Sequence, residues 1–255
     1  MIPFDDIQRI ESVLQEVFGH RKLRPAQERA LAPILAGKDA VVIMPTGTGK
    51  SLCYQLPGLL DEGLTLVVSP LISLMKDQVD SLRALGVPAG TMNSSQSADE
   101  ARSVFSDLHG GVLRFLYVSP ERLSQPAFAE LMARSNLRRV AVDEAHCVSA
   151  WGHDFRPDYL QVGGFLDRVG RPQTLALTAT ATPAVQEDIV RSLGLDDPQV
   201  VVTGFDRPNL SIYVRRVRGA AEHGESLNRA FDEFDAVTGA ALVYCASRKN
   251  TELVA

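Results

Sequence analysis

The chain has 255 residues, with 26 Lys plus Arg against 31 Asp plus Glu, a net charge of −5, 45% hydrophobic and 22% charged residues. That balance excludes a disordered chain, and it excludes a protein that coats nucleic acid by bulk positive charge, so any such binding must rest on local patches. No apolar run approaches the roughly 20 residues of a membrane helix. The segment from Met1 to Arg9 lacks the basic-then-apolar order of a secretory signal, so a cytoplasmic location is expected, with no membrane partner. Cys53, Cys147 and Cys245 are scattered without a CxxC pair, which fits reduced thiols, and no zinc is expected.

In chain order, short apolar and β-branched runs alternate with amphipathic stretches. The pattern predicts a strand over 40–44, a helix over 51–60, a strand over 64–69 and helices over 71–85 and 98–108. A strand over 115–119, a helix over 126–133, and strands over 140–142 and 175–178 follow. Next come a helix over 183–193, opened by Thr182 as N-cap and Pro183 at the first helical position, and strands over 200–203 and 241–245. Alternation of this kind predicts an α/β fold with an open parallel sheet, helices on both faces and right-handed crossovers. The turn-rich stretch from Gly204 to Leu210 marks a boundary, giving a domain over 1–205. The remaining residues, 206–255, are too few to bury an α/β core of their own and read as a linker and the truncated start of a second domain.

The first predicted strand runs through Pro45 into Thr46-Gly47-Thr48-Gly49-Lys50-Ser51 and then into a helix, the context a phosphate-binding loop requires. Glycines let successive N–H groups turn inward toward phosphate oxygens, and the following helix adds its positive end. Lys50 has the reach for the β- and γ-phosphates, and the Ser51 hydroxyl suits Mg²⁺. The match is to the second half of the motif, since Met44 stands where the full pattern has glycine. The strand at 140–142 leads directly into Asp143-Glu144-Ala145-His146, at the edge where open α/β sheets bind ligands. Two acids after a strand also fit a solvated loop. Paired with the phosphate loop, Asp143 reads as a Mg²⁺ holder and Glu144 as the base that polarises water.

These blocks resemble the superfamily 2 helicases, and the chain from about Phe18 to Arg248 resembles the RecQ DNA helicases. The narrow match is the continuous run Asp143-Glu144-Ala145-His146-Cys147-Val148-Ser149-Ala150-Trp151-Gly152-His153-Asp154-Phe155-Arg156-Pro157-Asp158-Tyr159, similar to the family's acidic motif and aromatic-rich loop. Similar blocks open at Leu23, Ser69, Tyr117, Ala176, Phe205 and Val243. The resemblance implies a RecA-like P-loop sheet followed by an incomplete second RecA-like lobe. It implies ATP and Mg²⁺ as cofactors, with Lys50, Asp143, Glu144 and His146 as the catalytic set.

It further implies that Gln27 reads adenine, that Arg24 lies against the same base, and that His20 stands where the family places an aromatic ring. Trp151, His153, Phe155 and Arg156 become the sensor that couples single-stranded DNA to hydrolysis; as bare residues, Trp151 and Phe155 also fit core filling. Ala150 stands where the family commonly has Gln. Thr178 and Thr180 would link the Mg²⁺ site to the DNA path, and Lys76, Asn93, Arg122, Asn209 and Arg248 fall in segments that contact DNA.

The implied activity is ATP-dependent 3′ to 5′ DNA unwinding in repair and recombination, on single-stranded and partially duplex DNA. Single-stranded-DNA-binding and repair proteins are partners to which no motif points. No motif after Arg248 supplies the second lobe's arginine, so the expectation is that this chain binds ATP without unwinding. The alternatives are an RNA helicase of the DEAD/DEAH type and a nucleotide-binding lobe without turnover.

Overall fold

Runs of Val, Leu and Ile that are apolar at every position leave no face for water, so they form strands only where helices cover both sides of a sheet. The computed structural model describes residues 4–93, 96–152, 154–204, 211–234 and 242–254, and the chain divides into two compact units, residues 1–205 and 206–255. The first unit opens with α1 (Phe4–Phe18), α2 (Pro25–Leu35), β1 (Ala40–Ile43), α3 (Leu52–Leu60), β2 (Leu64–Val68) and α4 (Ile72–Ala84). It continues with β3 (Ala89–Met92), α5 (Ala98–His109), β4 (Phe115–Val118), α6 (Pro126–Arg134) and β5 (Leu137–Val142). It ends with α7 (Gln161–Arg168), β6 (Gln173–Thr178), α8 (Pro183–Leu193) and β7 (Gln199–Val202), with 3-10 turns at Pro120–Ser124, Ala145–Val148 and Pro157–Leu160.

The strands form one seven-stranded sheet in the order β3-β4-β2-β5-β6-β1-β7, and every pair is parallel. Strand alternation assigns the faces. Val41, Ile43, Leu66, Val68, Val140 and Val142 join Phe128, Phe165 and Ile189 of α6, α7 and α8 in one core. Ala40, Val42, Val67, Ala141, Leu175 and Leu177 join Ile34, Tyr54, Met75 and Val79 of α2, α3 and α4 in the other. Ile10 and Leu14 of α1 seal the outside of α2 and α3 against Leu31, Leu52 and Leu56. The α/β class with a parallel sheet and helices on both faces is therefore the observed one.

Several elements lie beyond the expected set. β3 reads Ala-Gly-Thr-Met, with no β-branched run; its Gly90 lets α5 approach, since a Cβ there would sit 3.2 Å from Val104. β5 starts earlier than the apolar run at 140 because it carries Arg138 and Arg139. Arg139 is nonetheless 1% exposed. Its guanidinium donates to Asp61 Oδ2 at 2.7 Å and to Gln173 Oε1 at 2.8 Å, beneath the sheet.

In the second unit the described residues form α9 (Gly219–Phe234) and α10 (Arg248–Val254), with Arg215 paired to Glu233. The strand expected at 241–245 is corrected here: Ala241 lies outside the described residues, and residues 242–245 form no strand, with Leu242 and Tyr244 82% and 92% exposed. A strand needs a hydrogen-bonded neighbour, and the described residues of this unit contain none. Among the described residues no helix is long and apolar enough to cross a membrane.

Asp61→Ala leaves the Arg139 guanidinium buried without its carboxylate, a change expected to lower unfolding stability by about 2–4 kcal/mol in urea denaturation. Arg139→Met, which removes the charge and keeps most of the volume, is expected to cost less. Equal losses would show that burial of the charge is not what Asp61 offsets.

Candidate functional site

Parallel strands present all their following loops at one edge, and the loops after β1, β5 and β6 meet there because those three strands are neighbours. The β1 to β6 ladder runs one step past the strand, with Met44 N–H bonded to Thr178 O at 3.0 Å. Met44 is wholly buried in the core beside Cys53, so the position that carries glycine in the full loop motif is filled by packing.

The turn begins after it. Gly47 and Gly49 adopt φ of +79° and +84°, where a side chain is strained. A Cβ on Gly49 would also lie 2.4 Å from Gln27 Nε2. The helix closes at once, with Leu52 N–H on Gly49 O and Cys53 N–H on Lys50 O.

Two residues expected at the base hold this loop from outside. Arg24 donates to Gly47 O at 3.0 Å, while Gln27, 5% exposed, donates to Thr48 O and Gly49 O at 3.3 Å and accepts the Arg24 N–H at 2.8 Å. Both amide ends of Gln27 are thus engaged by backbone. With His20, Phe18, Gln55 and Gln78 these residues line a cleft of about 380 Å³ that also contains Gly47, Gly49 and Ser51.

The acids follow β5. Asp143 N–H continues the ladder to Val68 O, and the backbone then reverses at Glu144, whose φ of 47° and ψ of 44° are left-handed, an uncommon state for a residue with a side chain. The reversal turns the Glu144 carboxylate toward the loop. Lys50 Nζ lies 3.5 Å from one of its oxygens and His146 Nδ1 3.3 Å from the other. His146 Nδ1 is also 2.7 Å from Thr178 Oγ1, which donates to Thr180 O and accepts the Thr180 N–H. A continuous line of contacts therefore runs Lys50, Glu144, His146, Thr178, Thr180 across three strand ends.

The two neighbouring carboxyls are shifted in opposite directions. Burial raises Asp143 above its ordinary value, against the lowering pull of Lys50, while the His146 hydrogen bond holds Glu144 below its own.

A second network escapes the motifs. The Tyr54 hydroxyl contacts Ser51 and lies 3.3 Å from the Tyr117 hydroxyl, to which Gln55 donates at 3.4 Å; Gln55 also donates to Gln78 of α4 at 3.1 Å. Burial pushes the Tyr117 phenol up to about 12, so both rings stay neutral hydrogen-bonding groups. No motif marks these residues, because each matters through partners that the fold brings together.

The aromatic-rich loop is surface rather than core: Trp151 is 79% and Phe155 40% exposed. Arg156 binds Asp154 at 2.9 Å and Pro70 O at 3.2 Å, tying the loop to the turn after β2. Ligand atoms of His146, Cys147 and Asp154 lie within 4.8 Å of one another. Burial pushes the Cys147 thiol up to about 12 and Asp154 is occupied by Arg156, so this donor set has the chemistry of a hydrogen-bonded buttress.

The other expected contacts are spread along the same edge. Lys76 is exposed on α4, Asn93 follows β3, and Arg122 follows β4 with its guanidinium over the Phe128 ring at 6.0 Å. Thr46 and Thr48 stay within the loop, where Thr48 Oγ1 donates to Pro45 O. His153 and Asn209 lie outside the described residues, and Arg248 belongs to the second unit, at the start of α10.

With this geometry in place, comparison with known proteins is decisive: the model of the DEAD/DEAH box helicase family matches residues 24–189. The chain belongs to that family. Curated relatives of this DEAD/DEAH helicase chain include the ATP-dependent DNA helicase RecQ of Pasteurella multocida, 52% identical over 198 residues, covering 78% of this chain and 31% of that protein. The RecQ proteins of Haemophilus influenzae and Bacillus subtilis are 45% and 41% identical, covering 96% and 97% of this chain and 39% and 42% of theirs. The chain thus spans 31% to 42% of the length of these relatives.

Among solved structures, the DUF1998 helicase MrfA bound to DNA and AMPPNP aligns with a TM-score of 0.73 at 20% identity over 99% of this chain and 38% of that one. Mycobacterium smegmatis helicase Lhr, bound to ssDNA and AMP-PNP, aligns with a TM-score of 0.65 at 21% identity over 97% and 35%. These two likenesses establish the shared fold. The resemblance read from the motif blocks is upheld, and DEAD/DEAH helicases in general use ATP and Mg²⁺.

If the His146 hydrogen bond is what lowers Glu144, carboxyl titration by NMR on the Mg²⁺-free protein should find Glu144 below its ordinary 4.5, and His146→Ala should move it up toward that value. Because the folded value is the lower one, the stabilisation is complete above about 4.5 and is lost as pH falls through the lowered value. A midpoint that does not move in His146→Ala would assign the shift to Lys50 instead.

Proposed function

We propose that this chain is the nucleotide-binding part of a RecQ-type ATP-dependent DNA helicase. Residues 1–205 act as the first RecA-like helicase domain and residues 206–255 as the linker and opening segment of the second. The observation that carries the reading is the contact line from Lys50 through Glu144 and His146 to Thr178 and Thr180, which connects a phosphate loop to the edge where the aromatic loop stands. The names and extent of the RecQ relatives support it.

In this reading the N–H groups of the Gly47–Gly49 turn, whose φ of +79° and +84° only glycine adopts readily, donate to the ATP phosphate oxygens. Ser51 and Asp143 are hard oxygen donors, which suits Mg²⁺. Bound there, Mg²⁺ would neutralise charge on the β- and γ-phosphates. Lys50, paired here with Glu144, exchanges that carboxylate for phosphate, and Glu144 is released to take a proton from the attacking water. His146 keeps the Glu144 carboxylate oriented and reports its position to Thr178.

Arg24 and Gln27 shape the loop and the base cleft together, with His20 at its rim. Trp151 and Phe155 offer exposed rings for stacking bases, which is tolerant of sequence, and Lys76, Asn93, Arg122, Arg156, Asn209 and Arg248 supply backbone contacts. A cytoplasmic location, nucleoid-associated if the source is a bacterium, belongs to the same reading.

The test is ATP hydrolysis with Mg²⁺ and no nucleic acid, single-stranded DNA or single-stranded RNA. The expected result is stimulation by DNA and not by RNA, with Glu144→Gln losing about 10²- to 10⁴-fold in turnover while still binding ATP. Stimulation by RNA alone would replace the DNA reading with an RNA helicase. ATP binding without turnover in the unaltered chain would leave a nucleotide-binding lobe whose catalysis needs more than these residues.

A further inference from the structure

Trp151 is 79% exposed, so packing around its ring cannot set where the ring stands. Its place is set by the backbone. The Trp151 N–H donates to Ser149 Oγ at 3.2 Å, and the next residue, Gly152, donates its N–H to Ser149 O at 2.9 Å. Gly152 also passes so near the chain at His146 that a Cβ on it would lie 2.6 Å from His146 O, so the backbone is seated tightly at this point.

Ser149 is 1% exposed, and its hydroxyl, while accepting from Trp151, donates to Asp188 Oδ2 at 2.7 Å. Asp188 is 8% exposed and sits midway along α8, with its other oxygen paired to Arg191. Its hydrogen-bonding partners among the described residues are Ser149 and Arg191. What it does hold is the base of the aromatic loop.

We infer that Asp188 is a positioning residue for the aromatic loop, fixing the backbone of Trp151 through the buried Ser149 hydroxyl. The link matters because of where α8 begins. Thr182 caps the helix by accepting the Val185 N–H, directly after the Thr178 to Thr180 turn that contacts His146. Trp151 is therefore tied to Thr178 twice, once along its own chain through His146 and once across space through Ser149, Asp188 and α8. A base stacked on the ring pulls on both ties. With the second tie cut, the loop pivots on the first alone, and stacking is less able to move the Thr178 end. This role rests on the proposed reading of the loop as a DNA sensor, but the anchoring itself does not.

Trp151 is the single tryptophan beside five tyrosines, so emission excited selectively at tryptophan reports this loop alone. The full chain and the variants Asp188→Ala, Ser149→Ala and Asp188→Asn are to be compared by Trp151 anisotropy, by single-stranded DNA titration followed through Trp151 emission, and by ATP binding without DNA. Both alanine variants are expected to lower the anisotropy and to weaken the DNA midpoint about tenfold, the worth of one hydrogen bond to a charged group. ATP binding should stay within about twofold in both. Asp188→Asn keeps an acceptor for the Ser149 hydroxyl and should return the anisotropy to that of the unaltered chain. Should Asp188→Ala fail to fold, Ser149→Ala removes the same link from its other end.

Unchanged anisotropy in a folded alanine variant overturns the proposal, as does an Asp188→Asn loop as loose as that of Asp188→Ala. Lowered anisotropy in both alanine variants, with no response of the unaltered chain to DNA, upholds the anchor and overturns the DNA-sensor reading.

Discussion

The adjacency of β1, β6 and β5 in a wholly parallel sheet is the constraint on which the site depends. Three segments that are distant in sequence, at residues 44–51, 143–146 and 178–180, end in the same row because parallel register brings Ile43 beside Thr178 and Val142 beside Ala176. No loop needs to travel far. The sheet in turn is held by two apolar layers whose strand residues alternate between them, so a one-residue slip of β1 would move Val41 and Ile43 out of one core and Ala40 and Val42 out of the other. The contact distances of 2.7 to 3.5 Å along the Lys50–Glu144–His146–Thr178 line are thus inherited from the packing of the apolar core.

At the edge of that core two carboxyl groups, adjacent in sequence, live in different surroundings. Asp143 ends the ladder and is desolvated, with its carbonyl receiving the Tyr159 hydroxyl at 2.9 Å. Glu144 is carried away from it by a left-handed residue and finds Lys50 and His146. An acid that burial keeps short of compensating charge is suited to receiving a cation, and an acid held by hydrogen bonds is suited to being aimed. The backbone reversal at Glu144 creates this division of roles. An uncommon conformation is tolerated at that residue because the ladder on one side and the Ala145–Val148 turn on the other fix both ends.

The legible parts of the sequence were those in which chemistry and local structure coincide. The β-branched runs gave the central strands, and the glycine loop and the acids following a strand could be placed without knowing the sheet order. β3 was hidden by Gly90 and by the absence of branched residues, and α1 by a polar majority around Ile10 and Leu14. The run at 242–245 has a strand's composition and lacks a pairing strand among the described residues, so propensity alone misleads there. In the site, Gln27 and Arg24 could be tied to the nucleotide region by their block, but their bonds to the loop backbone depend on how α2 lies beside β1. Tyr54, Tyr117, Gln55, Ser149 and Asp188 gave no signal, because each matters only through a partner that folding delivers from elsewhere in the chain.

The Lys50 and Glu144 pair shows how such a site can rest without being damaged by its own charges. Lys50 lies close to two acids, Asp143 and Glu144, and Glu144 has His146 on its other side. Pairing them satisfies both at 3.5 Å, with neither side chain fully withdrawn from water, so the attraction is moderate and reversible. In the proposed reading a phosphate would offer Lys50 a denser negative charge than one carboxylate, and the exchange would free Glu144 with His146 and Thr178 still beside it. The pair would thereby make release of Glu144 depend on the arrival of a phosphate, beside the His146 and Thr178 contacts that lead toward the aromatic loop.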